Sequence, residues 1–275
     1  MLNMVQELFA YPFIQRAVIV GILVSLCAAL LGVTLVLKRY SMIGDGLSHV
    51  GFGALALAMA LNLAPLEVAI PVVVAAAFFL LRISESSKIK GDAAIALIST
   101  SSLALGVIVI AMTTGMTTDV CNYMFGSILS MSKNDVRLSI VISILVIILY
   151  LVFYNKIFAI TFDESFAQAT GINTKKYNSL IAFLTAVTIV LGMRMMGALL
   201  ISSLIVFPAL TSMRLIKSFR GVVISSTVIS VSCFVIGIIF SYICAAPTGA
   251  SVVAVNLALF IIFSVISKIK FKLQG

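Results

Sequence analysis

The chain has 275 residues, of which 62% are hydrophobic and only 10% are charged, and its mean hydropathy is +1.26. A soluble domain carries about 25% charged residues, so this composition excludes an ordinary soluble enzyme and indicates a polytopic membrane protein. The net charge of +9 does not argue for nucleic-acid binding, because excess Lys and Arg normally flank membrane spans on the cytoplasmic side.

Nine apolar runs are long enough, or nearly so, to cross a hydrocarbon core, which takes about 20 helical residues. No interval between them could hold a soluble domain, so residues 1–275 are predicted to form a single transmembrane domain, an all-α helical bundle. The joint near Gly192–Gly197 is either a bend in one span or a boundary between two, which leaves eight or nine spans, with nine preferred. The runs are 17–37, 44–63, 65–81, 93–112, 136–154, 178–193, 195–213, 221–244 and 250–267.

The distribution of basic residues predicts the orientation. With nine spans and the N-terminus outside, 14 of the 18 Lys and Arg residues fall on inner loops, as the positive-inside rule requires. The C-terminus is then cytoplasmic.

The second run, 44–63, contains the most informative pair, Asp45 and the single histidine, His49. The run is rich in Gly, Ala and Ser, which let helices approach closely in a bilayer, so this helix is predicted to be central. Residues four apart share one helix face, and His49 lies about 15 Å along a helix from Arg39, near mid-membrane. A carboxylate and an imidazole suit Zn²⁺ or Mn²⁺, although the alternatives are an intrahelical ion pair or a proton relay.

The segment 113–134 is too polar and too short to span the membrane and is predicted to form an outer loop with a re-entrant or interfacial helix. A disulfide between Cys121 and Cys244 near the outer face is conceivable. Met193, Met195 and Met196 are more typical of packing than of a Cu(I) site, and the adjacent Arg194 is predicted to anchor the outer face or to pair with an acidic group.

Two inner segments are candidates for contact with another protein, although each could equally be interfacial structure. Residues 161–172 predict a short capped helix with small residues on one face and Gly171 at its C-terminal cap. In residues 208–221, Pro208 is predicted to break a span before a basic amphipathic turn.

Several chemistries are excluded by missing sequence patterns. There is no G-x-x-x-x-G-K-[ST] loop for nucleotide binding, one histidine cannot form an HExxH zinc site, and no TVGYG filter is present. The four cysteines form no CxxC pair.

The run Arg39 to His49 resembles the second-helix signature of membrane permeases in the manganese, zinc and iron ABC uptake family. Further blocks resemble the family in the same order: 123–126, 162–171, 197–209 and 247–253. The resemblance covers nearly the whole chain. Gly46 departs from it, because the family usually has Ala there, which predicts added flexibility beside Asp45.

This resemblance implies an ABC importer permease fold and a homodimer in a bacterial plasma membrane. Two copies of a cytoplasmic ATPase and an extracellular metal-binding lipoprotein or periplasmic binding protein are the implied partners. Asp45 and His49 would contact the transported metal. The segments 162–172 and 208–220 would face the ATPase, with seven candidate coupling residues: Asp163, Glu164, Ala167, Gly171, Pro208, Arg214 and Lys217.

The resulting hypothesis is a permease without enzymatic activity or resident cofactor that imports Zn²⁺ or, as the alternative, Mn²⁺. Block 162–172 is closer to the zinc branch of the family. A second hypothesis is a stand-alone proton-coupled cation carrier in which Asp45 and His49 relay protons.

Overall fold

A computed structural model describes residues 12–86, 91–113 and 133–274, and in these ranges the chain forms eleven α-helices and no strand. The helices are α1 (Pro12–Leu37), α2 (Ile43–Ala60), α3 (Pro65–Ser86), α4 (Gly91–Thr113), α5 (Lys133–Val152), α6 (Tyr154–Phe162), α7 (Glu164–Ala169), α8 (Thr174–Met196), α9 (Ala198–Met213), α10 (Phe219–Cys244) and α11 (Thr248–Gln274).

Among these described helices, eight are long and apolar enough to cross a membrane, namely α1 to α5, α8, α10 and α11. Helix α9 is apolar but has only 16 residues, fewer than the roughly 20 that a full span requires. The prediction of an all-α polytopic bundle with eight or nine spans is therefore confirmed. The uncertainty in the count comes from this one short helix.

A single glycine separates α8 from α9. Gly197 has φ +86° and ψ 160°, a conformation that is essentially restricted to glycine. The amide of Gly197 still donates to the carbonyl of Met193 at 3.0 Å, so α8 closes normally before the chain turns. The joint that the sequence left open is therefore a boundary between two helices.

The prediction that Pro208 breaks a span is wrong, because α9 continues through Pro208 to Met213. Proline removes one backbone donor and crowds the preceding turn. In membrane helices this is tolerated when neighbouring helices and hydroxyl side chains satisfy the freed groups. Pro208 is buried among such neighbours, since α9 packs against α1, α10 and α11.

The bundle has a buried centre and an exposed periphery. Helices α1, α2 and α8 are largely buried, and α2 contacts α3, α4, α8 and α9. Helix α4, in contrast, packs chiefly on α2 and α3 and exposes large apolar side chains such as Leu105 and Met112. The prediction that α2 is central is confirmed.

Lys38 lies at the end of the bundle where α1 ends and α2 begins. We call this the basic end, because Arg82, Lys156, Lys175 and Lys176 belong to helix ends and connections on the same side. The short helices α6 and α7 also lie there, packed against the start of α8. Residues 114–132, which contain most of the predicted re-entrant segment together with Cys121 and the block 123–126, lie outside the described residues.

Candidate functional site

Helix α2 leaves one narrow line of residues open. Between Ile43 and Ala58, every residue is buried except Asp45, His49, Gly53 and Leu57. Successive members of this line are four residues apart and lie one above the other on the helix, with Gly53 against α4, where a Cβ atom would meet the carbonyl oxygen of Ser102 at 2.8 Å. We call this line the open stripe. The two residues predicted to contact metal are thus partly exposed, whereas the other residues from Ile43 to Val50 are buried.

Asp45 and His49 are close enough to share an ion. Nε2 of His49 lies 3.6 Å from Oδ2 of Asp45, and the side chains are 19% and 46% exposed, respectively. Two ligand atoms bound to one tetrahedral Zn²⁺ at about 2.0–2.1 Å stand roughly 3.3 Å apart, so a small rotamer adjustment would bring both onto one ion. Asp45 also lies in the first turn of α2, where the helix dipole favours an anionic group.

The path from Arg39 to His49 is not the single continuous helix that the sequence had predicted. Arg39 adopts a left-handed φ of 63° and α2 begins only at Ile43. His49 is therefore six residues, roughly 9 Å of helical rise, inside α2. The prediction assumed an uninterrupted helix from Arg39, and that assumption was wrong because residues 38–42 form a turn.

One protomer does not complete a metal site within the described ranges. Those residues contain no group of three or more His, Cys, Asp or Glu side chains that could hold an ion. Structural zinc sites use four ligands and open sites three. A metal ion held by this pair would therefore need further ligands from water or from groups outside the described part of the protomer.

Gly46, the departure from the family pattern, lies where α4 approaches α2. A Cβ atom at Gly46 would lie 2.5 Å from Cγ2 of Ile95, closer than real Cβ contacts allow. The sequence suggested that Gly46 adds flexibility beside Asp45. The structure instead gives a packing reason, because α4 is seated against the backbone of α2 directly beside the carboxylate.

At the basic end, α7 is capped at both ends, as predicted for a short helix, but its N-cap is Asp163 and not Thr161, whose hydroxyl donates to the carbonyl of Ile157. Oδ1 of Asp163 accepts from the amide of Phe166 at 2.8 Å. Gly171 has φ +84°, and the amides of Gly171 and Ile172 donate to Gln168 and Ala167, the pattern of a Schellman motif. Phe162 and Phe166 are exposed beside this helix.

The seven candidate coupling residues are not equally accessible. Ala167 and Pro208 are buried in the protomer, whereas Asp163, Glu164, Gly171, Arg214 and Lys217 are exposed. Arg214 is held in place, since its guanidinium lies 5.1 Å above the Phe260 ring and its carbonyl accepts from Ser267. Ala167 and Pro208 therefore cannot contact a partner protein directly and could affect its binding only through the shape of the surface that they support.

Sequence reasoning missed a polar network at the basic end. Nζ of Lys38 lies 3.1 Å from Oε2 of Glu164 and 2.5 Å from Oδ1 of Asn178, and Nδ2 of Asn178 donates to Oε1 of Glu164 at 2.8 Å. Lys38 and Asn178 are nearly buried. Their sequence separation from one another is 140 residues, so no local pattern could have revealed the contact.

At the opposite end, Arg194 meets an acidic group, as one of the two predictions proposed. Its Nη2 lies 3.9 Å from Oδ2 of Asp135 at the start of α5. Met193, Met195 and Met196 are buried, and Met193 packs on Gly51, which confirms that these methionines serve as packing.

Residues 10–267 match the model of a family described as the ABC 3 transport family. The chain belongs to this family. It is similar to the manganese import system permease protein ScaB of Streptococcus gordonii, with 29% identity over 258 residues covering 94% of this chain and 92% of the relative. It is also similar to the high-affinity zinc uptake system membrane protein ZnuB of Haemophilus influenzae, with 30% identity over 252 residues covering 92% and 97%.

Among solved structures, the ABC 3 family chain resembles PsaBC of Streptococcus pneumoniae in complex with Fab. The TM-score is 0.85 at 28% identity, covering 96% of this chain and 95% of that chain. The resemblance of the sequence to metal ABC uptake permeases is thereby confirmed, and the fold is that of an ABC importer permease. The relatives are named for different metals, so family membership leaves the ion open.

Proposed function

We propose that this chain is the permease subunit of an ATP-driven importer that moves Zn²⁺ into the cytoplasm, with Mn²⁺ as the competing candidate. The observation that carries the proposal is the Asp45–His49 pair, 3.6 Å apart and partly exposed on the central helix, where the neighbouring residues are buried. Ionisable residues within spans are costly and mark pathways. Membership of the ABC 3 family favours this function over a stand-alone proton-coupled carrier.

The site is completed by a second copy of the chain. A two-fold dimer brings the same surface of both subunits together, so two open stripes facing each other would offer two carboxylates and two imidazoles. Four such ligands suit the tetrahedral preference of Zn²⁺. Mn²⁺ prefers more oxygen ligands and would keep water molecules. This difference in donor preference is the reason for placing Zn²⁺ first.

The basic end faces the cytoplasm in this proposal, in agreement with the positive-inside rule. Two ATPase subunits would bind there on α7 and the connection after α9, contacting Asp163, Gly171, Arg214 and Lys217 together with the exposed Phe162 and Phe166. A separate metal-binding protein would deliver the ion at the opposite end.

Transport requires no covalent step on this chain. Closure of the ATPase subunits would rock the two permease copies so that the paired open stripes face first the outside and then the cytoplasm. The carboxylates offset the loss of hydration as the ion enters. Release follows when the stripes separate and the shared ligand set is split between the two copies.

The test is metal uptake by the permease–ATPase complex in proteoliposomes, with Zn²⁺ and Mn²⁺ in competition. We expect ATP-dependent Zn²⁺ entry in the wild type, loss of entry in Asp45→Ala and His49→Ala, and retention in the control Leu57→Ala, which changes the same open stripe without removing a ligand. Co-purification with the ATPase verifies assembly of each variant.

Each other result has a defined meaning. Preferred entry of Mn²⁺ keeps the transporter class and the site but replaces the ion. Full uptake by both ligand variants at normal protein levels refutes the site. Transport that ignores ATP but follows a pH gradient refutes the importer and favours the carrier.

A further inference from the structure

We infer that Lys38, Glu164 and Asn178 form a mechanical link that transmits movement of α7 to the Asp45–His49 pair. We call these three residues the clamp. That this movement is coupled to transport rests on the proposed function, whereas the clamp itself is defined by contacts in the structure.

The clamp joins three separate elements. Glu164 is the first residue of α7, Asn178 lies in the first turns of α8, and Lys38 follows the last residue of α1. Each side chain contacts the other two, at 3.1, 2.5 and 2.8 Å. Because the Lys38 side chain is only 10% exposed, its ammonium depends on these oxygens, and loss of one partner leaves a poorly solvated charge.

A short turn held by several backbone hydrogen bonds connects Lys38 to Asp45. The amide of Tyr40 donates to the carbonyl of Leu35 at 2.8 Å, the amide of Ile43 donates to Tyr40 at 3.0 Å, and Gly46 donates to Met42 at 3.0 Å. With Arg39 fixed at a left-handed φ, this turn has little slack. A displacement of Lys38 is therefore passed to the first turn of α2, where Asp45 and His49 lie.

A small cavity of about 30 Å³ lies beside this turn. Lys38, Tyr40, Ile43 and Asn178 line it, and its other, largely apolar walls come from α1, α3, α4 and α8. Packing around the turn is thus incomplete on the side towards α3 and α4. On the other side, the 44% exposed Glu164 side chain lies on the surface proposed to meet the ATPase. The clamp residues are positioning residues, since none of them lies in the Asp45–His49 pair.

The functional test measures the number of metal ions imported per ATP hydrolysed by the reconstituted permease–ATPase complex. The variants are Lys38→Met, Glu164→Gln and the double exchange Lys38→Glu with Glu164→Lys; Lys270→Met, an exposed lysine on α11, is the matched control. We expect each single variant to lower the number of ions imported per ATP by about fivefold or more, the scale of a typical coupling between sites, while ATP hydrolysis changes less.

The double exchange should restore the ratio to near the wild-type value. Rotating the Asn178 amide by half a turn presents its donor to the new glutamate and its acceptor to the new lysine. If the single variants reduce uptake and hydrolysis in the same proportion, or if the double exchange fails to recover coupling, the inference is refuted.

A second measurement separates this inference from the proposed function. Amide hydrogen exchange of residues 164–172 in the purified full-length permease should rise in both single variants and return to wild type in the double exchange. Unchanged exchange refutes the clamp whatever the transport result. If the wild type shows no ATP-dependent uptake, the proposed function fails, and the exchange data still decide whether the clamp fixes α7.

Discussion

Gly46 shows how one residue beside the Asp45–His49 pair sets the spacing of two helices. A methyl group at this position would meet Cγ2 of Ile95 at 2.5 Å, and overpacking of this kind costs about 1–3 kcal/mol. We expect Gly46→Ala to lower the free energy of unfolding of the purified permease by that amount, measured as a lower melting temperature. In an Ile95→Ala background, where the obstructing atom is absent, the same substitution should have little effect.

The comparison between the two backgrounds isolates the contact, because coupling between neighbours appears as non-additivity. Equal losses in both backgrounds would mean that Gly46 is required for backbone freedom and not for the approach of α4, which would support the flexibility that the sequence suggested.

At the same scale, single residues stand out in the sequence where their chemistry is unusual. Asp45 and His49 were singled out because charge is rare in an apolar helix, and their role as metal contacts stays a prediction, whereas Arg194 was correctly predicted to meet an acidic group. The clamp was not found, because Lys38 and Glu164 have the composition of ordinary solvated inner residues. Only the fold brings them together across 126 positions.

Among the elements, α7 depends on how its last turn is closed. Gly171 ends it with φ +84°, and a Cβ there would meet nothing within 4 Å, so the only cost of alanine is its left-handed backbone, about 1–2 kcal/mol. We expect Gly171→Ala to raise amide exchange in residues 164–172 and to weaken co-purification with the ATPase.

Asparagine provides the matched control for this prediction, because it tolerates the left-handed conformation better than alanine. Gly171→Asn should therefore lie between the wild type and Gly171→Ala in both measurements. If alanine and asparagine behave alike, the loss does not follow the left-handed preference of the residue, and the backbone argument fails.

The ends of helices were predicted well where hydropathy changes sharply. They were predicted poorly where a proline or a glycine lies near the helix end. The predicted run 221–244 corresponds to α10, Phe219–Cys244. Pro208 was expected to end a helix that continues to Met213, because burial within the bundle outweighs the local penalty. The helix boundary at Gly197 could be recognised only in the structure, because it depends on a backbone angle that hydropathy does not encode.

For the whole molecule, the sequence predicted the class and the bundle, but it could not place the open stripe. Amphipathic periodicity marks the lipid or water face of a helix. On α2 small and apolar residues lie all round, so hydropathy does not distinguish Gly53 from Gly51. The four open positions appear only when α3, α4, α8 and α9 are packed around the other faces.

The open stripe makes a direct prediction about assembly. If two copies share one ion, the same residue of each open stripe must lie near the two-fold axis. We expect His49→Cys, in a background where Cys27, Cys121, Cys233 and Cys244 are replaced, to form a covalent dimer in membranes with a short thiol-specific cross-linker. Ile261→Cys on α11, whose native side chain is 53% exposed and lies on the periphery, is the control and should stay monomeric.

Exposure to lipid has a different free-energy cost at Ile261 and at His49. Ile261 is exposed because lipid tails can cover it without cost, whereas an exposed Asp45–His49 pair in lipid would be costly and needs a polar partner. Cross-linking at Ile261 but not at His49 would place the dimer contact on α11. The metal would then have to be bound by one protomer with water, and the four-ligand site proposed for Zn²⁺ would be abandoned.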